Sequence, residues 1–190
     1  MLLTVTSSGG GGGDLTGVVI SQVYGGGGNS GATLRNDFIE LFNPGSTAIS
    51  LDGASVQYTS STGTTWQVTA LSGSIPAQGY YLVQQAAGTG GSQDLPTPDA
   101  IGTIAMAGAN GKVALVGSTT ALSGACPIGG AASIADFVGY GTANCFEGSG
   151  AASALSNTTA AFRLGDGCTD TDVNSADFTT GAPAPRNSAS

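Results

Sequence analysis

An all-β fold, an antiparallel sandwich of about eight strands, is what this chain of 190 residues predicts. Three observations carry the prediction. Short apolar stretches alternate with polar residues at a period of two, the pattern of strands with one face turned to a core. Asn-Pro-Gly, Asp-Gly and repeated Gly-Ser-Thr punctuation separates them, because proline fixes φ and glycine accepts φ > 0. With 33 glycines and only 8% charged residues, the chain has few of the long side chains that favour helices.

In chain order, residues 1–17 form an N-terminal segment outside the domain, and residues 18–190 form the domain itself. Leu2, Leu3, Thr4, Val5 and Thr6 are β-prone and are followed by Gly9–Gly13, a flexible linker by composition. They read either as a frayed terminus or as a strand on a tether, able to pair with an exposed sheet edge of a neighbouring molecule. Val18–Tyr24 is the first strand of the domain. The glycine loop after it, Gly25–Gly31, lacks the Gly-Lys-Ser/Thr of a phosphate cradle and leads to a strand instead of a helix. Asp37–Phe42 carries Glu40 on the face of Phe38 and Phe42, where a buried carboxylate needs a donor. Arg163 is its expected partner.

Asn43-Pro44-Gly45-Ser46 then turns the chain into Ala48–Leu51, and Asp52-Gly53 turns it into Ala54–Thr59. In that strand Ala54, Val56 and Tyr58 are expected to face the core, with Ser55, Gln57 and Thr59 in water. Thr65–Ala70 places Trp66, Val68 and Ala70 on one side and makes Trp66 a core anchor. Gly79–Gln84 follows, with Tyr80 and Tyr81 on opposite faces, and then a long loop over residues 86–100, a candidate partner surface. Lys112–Val116, Asp136–Tyr140 and Thr159–Leu164 complete the strands. If the first two of these flank the third, Cys126 pairs with Cys168, leaving Cys145 as a small buried hydrophobe or a free thiol.

Several blocks occur together in one order: VVISQVYGGGGNSGA, FIELFNPGSTAISLDGASVQY, GYYLVQ, LPTPDA, DFVGYGTANCFEG and CTDTDVNSADFTTGAPAPRNS. Over roughly Val18 to Ser188 they make the chain resemble the lamin tail domain, in the branch found in secreted bacterial proteins. The resemblance implies an immunoglobulin-like β-sandwich. It is also similar to modules found beside extracellular nuclease domains.

Composition excludes much chemistry. Without histidine, Ser-His-Asp and Cys-His machinery and histidine metal sites cannot be built. Lys112 is the single lysine, and Glu40 and Glu147 are the only glutamates, so no enzyme is expected. Net charge is −8, and the four cations Arg35, Lys112, Arg163 and Arg186 are scattered, which argues against direct contact with nucleic acid or an anionic membrane. No stretch is apolar enough to span a bilayer. One cation site stands as a candidate: Asp166, Asp170, Asp172, Asn174 and Asp177 present oxygens at alternate positions, as a calcium loop does. Ser175 and Gly181 stand where an EF-hand has glycine and glutamate, and the competing reading is a chain of Asx-turns capping the last strand.

Low charge, no histidine and Gly/Ser/Thr richness point to an extracellular or cell-surface protein. The start, MLLTVTSSGGGGG, lacks the basic and apolar regions of an export signal, so such a signal is expected to have been removed. The function these readings favour is a non-catalytic structural or interaction module, a self-associating subunit of a surface or filamentous assembly built by N-terminal strand addition. Two alternatives stand beside it. One is an accessory domain of a larger secreted enzyme such as an extracellular nuclease. The other is a glycan- or protein-binding module using Tyr24, Tyr58, Tyr80 or Tyr81.

Overall fold

Two antiparallel sheets pack face to face in the computed structural model, which describes residues 14–130 and 133–190. In chain order the strands are β1 (Val19–Tyr24), β2 (Asn36–Phe42), β3 (Ile49–Ser50), β4 (Ser55–Thr59), β5 (Gln67–Ala70), β6 (Ser74–Ile75), β7 (Tyr80–Ala87), β8 (Ala100–Ile101), β9 (Gly111–Val116), β10 (Ile134–Tyr140), β11 (Ala160–Arg163) and β12 (Phe178–Gly181). One sheet has the order β12-β11-β1-β2-β7-β8, the other β10-β9-β4-β5, and β3 pairs with β6 apart from both. Among the described strands only the short β7–β8 pairing is parallel. The immunoglobulin-like sandwich read from the sequence is the observed fold.

Between the sheets lies a core that includes Ile20, Val23, Ile39, Val56, Val83, Leu115 and Val138. Its side chains come from alternate positions, as the pleat requires, except in β1, where a bulge between Ile20 and Gln22 puts Ile20 and Val23 on the same face. Leu15 joins this core, so packing begins ahead of the first strand. Two smaller apolar clusters sit on the outer faces. Trp66, Ala114, Val116, Leu122, Phe137 and Cys145 pack outside the four-stranded sheet, and Tyr24, Leu34, Phe38, Leu82 and Ala160 outside the six-stranded one.

These outer clusters overturn two expectations. Ser55, Gln57 and Thr59 are buried like their neighbours. The chain between β9 and β10 folds over them: Ser55 Oγ donates to Ser118 O, Gln57 Nε2 donates to Thr120 O, and Gln57 Oε1 accepts the Leu122 N–H. Trp66 is an anchor as expected, but of the outer cluster, with its indole N–H donating to Gly124 O. Along β5 the buried residue is Thr69 and Ala70 is exposed, because Gln85 of β7 reaches across to bond Thr69 Oγ1. The strands β9 and β10 do not flank β11: they pair with each other, and β9 pairs with β4, in the opposite sheet.

Candidate functional site

All four cations are engaged within the fold. Arg35 pairs at the surface with Asp94 at 2.7 Å. Lys112 is fully buried and donates to Gly63 O, Ala125 O and Asn144 Oδ1 at 2.7–2.9 Å, which fastens three loops over the outer cluster. Burial lowers its ammonium below the usual lysine range. Arg186, on the segment after β12, bonds Glu40 at 2.9 Å and lies over the Tyr80 ring at 3.7 Å from the centroid. Glu40 therefore finds its counter-charge in Arg186, and the expected Glu40–Arg163 pair is corrected. Glu40 lies on the outer face of the six-stranded sheet, which the C-terminal segment crosses, also bonding Gln22 through Ala184.

Arg163 points the other way, into the junction of the two sheets. It donates to Asp136 at 2.6 Å and to Asp170 at 2.8 Å, stands 3.7 Å from Asp177, and bonds Ile20 O. Its guanidinium also lies 4.6 Å from the Phe178 ring centroid. Asp136 in turn accepts the Ile20 N–H, so one ion pair ties β10 of one sheet to β1 and β11 of the other. Burial pushes the Asp136 carboxyl up to about 6 against the pull of Arg163.

The aspartate-rich segment surrounds that guanidinium. The carboxylate of Asp177 accepts the Thr171 and Val173 N–H groups and the Thr171 hydroxyl. Burial works to raise this carboxyl, but the Thr171 and Val173 donors and Arg163 together hold it below its usual value. Asn174 turns away toward β10. Asp172 takes a left-handed φ of 55° and Asp166 one of 57°, the latter within a 3₁₀ turn, Gly165–Gly167. The five residues singled out in the sequence are thus not gathered around one point. The carboxylates that do converge, with oxygens within 4.8 Å of one another, are Asp136, Glu147 and Asp170. Glu147 is pushed up to about 8 by burial and then by Asp136 and Asp170.

The disulfide joins Cys126 to Cys145, and Cys168 is exposed and free, correcting the expected Cys126–Cys168 pairing. Cys126 follows β9 and Cys145 follows β10, adjacent strands whose connecting loops fold over the same outer face. Cys168 follows β11 in the other sheet. Gly139 permits the close approach of the Cys145 segment, since a Cβ there would meet Cys145 O at 2.1 Å.

Four strands end the two main sheets, and they differ in how their free sides are covered. On β10 the side-chain amide of Asn174 bonds the Gly139 N–H and the Phe137 carbonyl, and Ala152 N–H bonds Gly139 O. No strand pairs with the outer sides of β12 and β5, four residues each, among the described residues. β8 is two residues long and carries Ile101, which is 69% exposed. The segment Leu2–Thr6, expected to add to such an edge, lies outside the described residues. Of the tyrosines considered for stacking, Tyr24, Tyr58 and Tyr81 are buried and Tyr80 is covered by Arg186.

A family model described as Lamin Tail Domain matches residues 14–142. The chain belongs to the lamin tail domain family. No curated protein matches it. The family is one of non-enzymatic immunoglobulin-like domains with an interaction role. No described helix is long and apolar enough to cross a membrane.

In this lamin tail domain, β11, β12 and Arg186 all lie beyond the matched residues, yet β11 pairs with β1 inside the larger sheet. Sequence reasoning missed the buried Lys112, the Arg186–Glu40 pair and the role of Asn174. None carries a local signal, because each partner lies 13 or more residues away, and Glu40 lies 146 from Arg186.

Proposed function

We propose that this lamin tail domain is a non-catalytic, extracellular structural subunit that self-associates, with Leu2–Thr6 of one copy adding as a strand to the sheet of another. The observation that carries the reading is the contrast among sheet edges. β10 is closed by Asn174, whereas β12 and β5 offer unpaired backbone to an incoming strand. The cations support it from the other side: engaged with Asp94, Asp136, Glu40 and backbone carbonyls, they offer phosphate groups little. The Cys126–Cys145 disulfide suits an oxidising compartment outside the cell.

The same reading gives the aspartate-rich segment a structural role, caging Arg163 in place of calcium. Adding millimolar calcium, or a chelator, then leaves the melting temperature unchanged; a calcium-dependent rise would restore the metal reading. For assembly, light scattering after size exclusion with negative-stain imaging of the same fractions is the test. Ordered oligomers that disappear when residues 1–13 are removed are expected. A monomer would turn the reading to an accessory domain of a larger secreted enzyme.

A further inference from the structure

We propose that β12 is the acceptor edge, with Leu2–Thr6 of a second copy pairing antiparallel to Phe178–Gly181 and Thr4 opposite Thr180. This rests on the self-association reading above and names its docking site. The Leu164 N–H donates to Asp177 O, so the hydrogen-bonded pairs of the β11–β12 ladder recur at Phe162/Thr179 and Ala160/Gly181. That alternation turns the N–H and C=O of Thr180 outward. An antiparallel strand centred on Thr180 completes both groups.

Beside this edge lies a groove of about 720 Å³ lined by Phe162, Leu164, Thr179 and Pro185 together with the charged Asp166 and Arg186. Leu164 is 41% exposed, one of three large hydrophobic residues left open among the described residues. A strand with Thr4 opposite Thr180 directs Leu3 and Val5 to the face of Thr179 and Gly181, which is the face of the groove. Leu3 and Val5 suit the apolar part of this lining, Phe162, Leu164 and Pro185. The other edges fit less well: β5 exposes Gln67 and Ala70, β8 has two residues, and β10 is closed.

The place where the tether joins the domain sets which edges Leu2–Thr6 can reach. Val18 N–H bonds Leu15 O in a turn, and Asp14–Gly17 run beside Gly117 and Ser133–Ala135, at the end of the four-stranded sheet. Only β11 lies between β1 and β12 in the larger sheet, so the chain's own β12 is also within reach, and the second copy follows from the self-association reading above. Ser7–Gly13, seven residues, span at most about 25 Å when extended, enough to cross to an adjoining molecule.

Cysteine cross-linking of the full chain in a Cys168→Ser background, with the Cys126–Cys145 disulfide intact, tests the assignment, each chain with one added cysteine serving as baseline. Thr180→Cys is combined with cysteine at each of Leu2, Leu3, Thr4, Val5 and Thr6 in turn, and Val68→Cys with the same series reports on β5. The expected result is a ladder of dimers and larger multimers on non-reducing gels, strongest for Thr4→Cys with Thr180→Cys. Three results overturn the assignment while self-association of the wild-type chain by light scattering still stands: a ladder through Val68→Cys, a monomer band in which both cysteines are consumed, or no cross-link to Thr180→Cys at any position. A wild-type chain that stays monomeric overturns both readings.

Discussion

Asn174 stands beside Gly139 where a neighbouring strand would stand. Its Oδ1 accepts the Gly139 N–H at 2.9 Å, and its Nδ2 donates to Phe137 O at 2.9 Å and to Glu147 Oε2 at 3.1 Å. One amide side chain therefore does the work of a peptide unit on the outer side of β10, and it is fully buried while doing so. Sheet edges invite pairing unless covered, so this contact decides which edges of the sandwich stay available.

Asn174→Ala removes the acceptor and the donor together and leaves buried backbone groups unpaired. At about 1–3 kcal/mol for each of the two groups so stranded, the expected loss is about 2–6 kcal/mol, measured by urea unfolding. The variant is also expected to aggregate at concentrations where the wild-type chain does not, read by light scattering.

Arg163 is the only cation among four nearby carboxylates, Asp136, Glu147, Asp170 and Asp177. Arg163→Met leaves Asp136, with its side chain 1% exposed, without a counter-charge. Breaking a buried pair by removing one partner costs about 3–5 kcal/mol. Adding Asp136→Asn removes the stranded charge and keeps an acceptor for the Ile20 N–H, so the double variant is expected to regain part of the loss. Equal instability of single and double variants in denaturant titrations would show that packing against Phe178 matters more than charge.

Stability should fall as pH rises from weakly acid to weakly alkaline. Glu147, pushed up to about 8, and Asp37, pushed up to about 7 by burial despite the Gly27 and Met106 N–H groups that donate to it, both hold protons in the folded chain at pH values where the unfolded chain has released them. The folded state binds more protons over this window, so the stability these groups contribute is present below the unfolded carboxylate range and is lost up to about pH 8. Glu147→Gln should raise the melting temperature at pH 8 by about 2–4 °C, the shift that about 1 kcal/mol gives at this size, and should leave it unchanged at pH 4. Calorimetry at the two pH values decides it.

Thiol chemistry should find one reactive group. Cys168 is expected to react with a thiol reagent in the native and the unfolded chain alike, and alkylation with peptide mapping should recover Cys126 linked to Cys145. The link closes a loop of 19 residues, worth about 3 kcal/mol in the loop-entropy account. Reduction should therefore lower the melting temperature by about 6–12 °C.

The strands were legible because their signal is local. Alternation marked β1, β2, β4, β7, β9, β10 and β11 to within a few residues, and Asn43-Pro44-Gly45 and Asp52-Gly53 marked the turns between them. The two-residue strands β6 and β8 were missed, being too short to show a period, and β12 was absorbed into the aspartate-rich run that precedes it. The alternation around Glu40 shows that this carboxylate needs donors if it is buried, which it is, but not that Arg186 supplies them.

What the sequence alone determined is the fold class, the family, the near absence of catalytic groups and the small number of cations. Each follows from composition, from period or from blocks in a fixed order. Tertiary structure decided the pairings: Arg186 with Glu40, Arg163 with Asp136, Cys126 with Cys145, Asn174 with the edge of β10. It also decided that Ser55, Gln57 and Lys112 are buried, because the chain between β9 and β10 folds back over a face that alternation assigns to water. A strand's own sequence sets which residues share a face. Whether that face meets solvent depends on a loop more than 60 residues away, and that information exists only once the chain has closed.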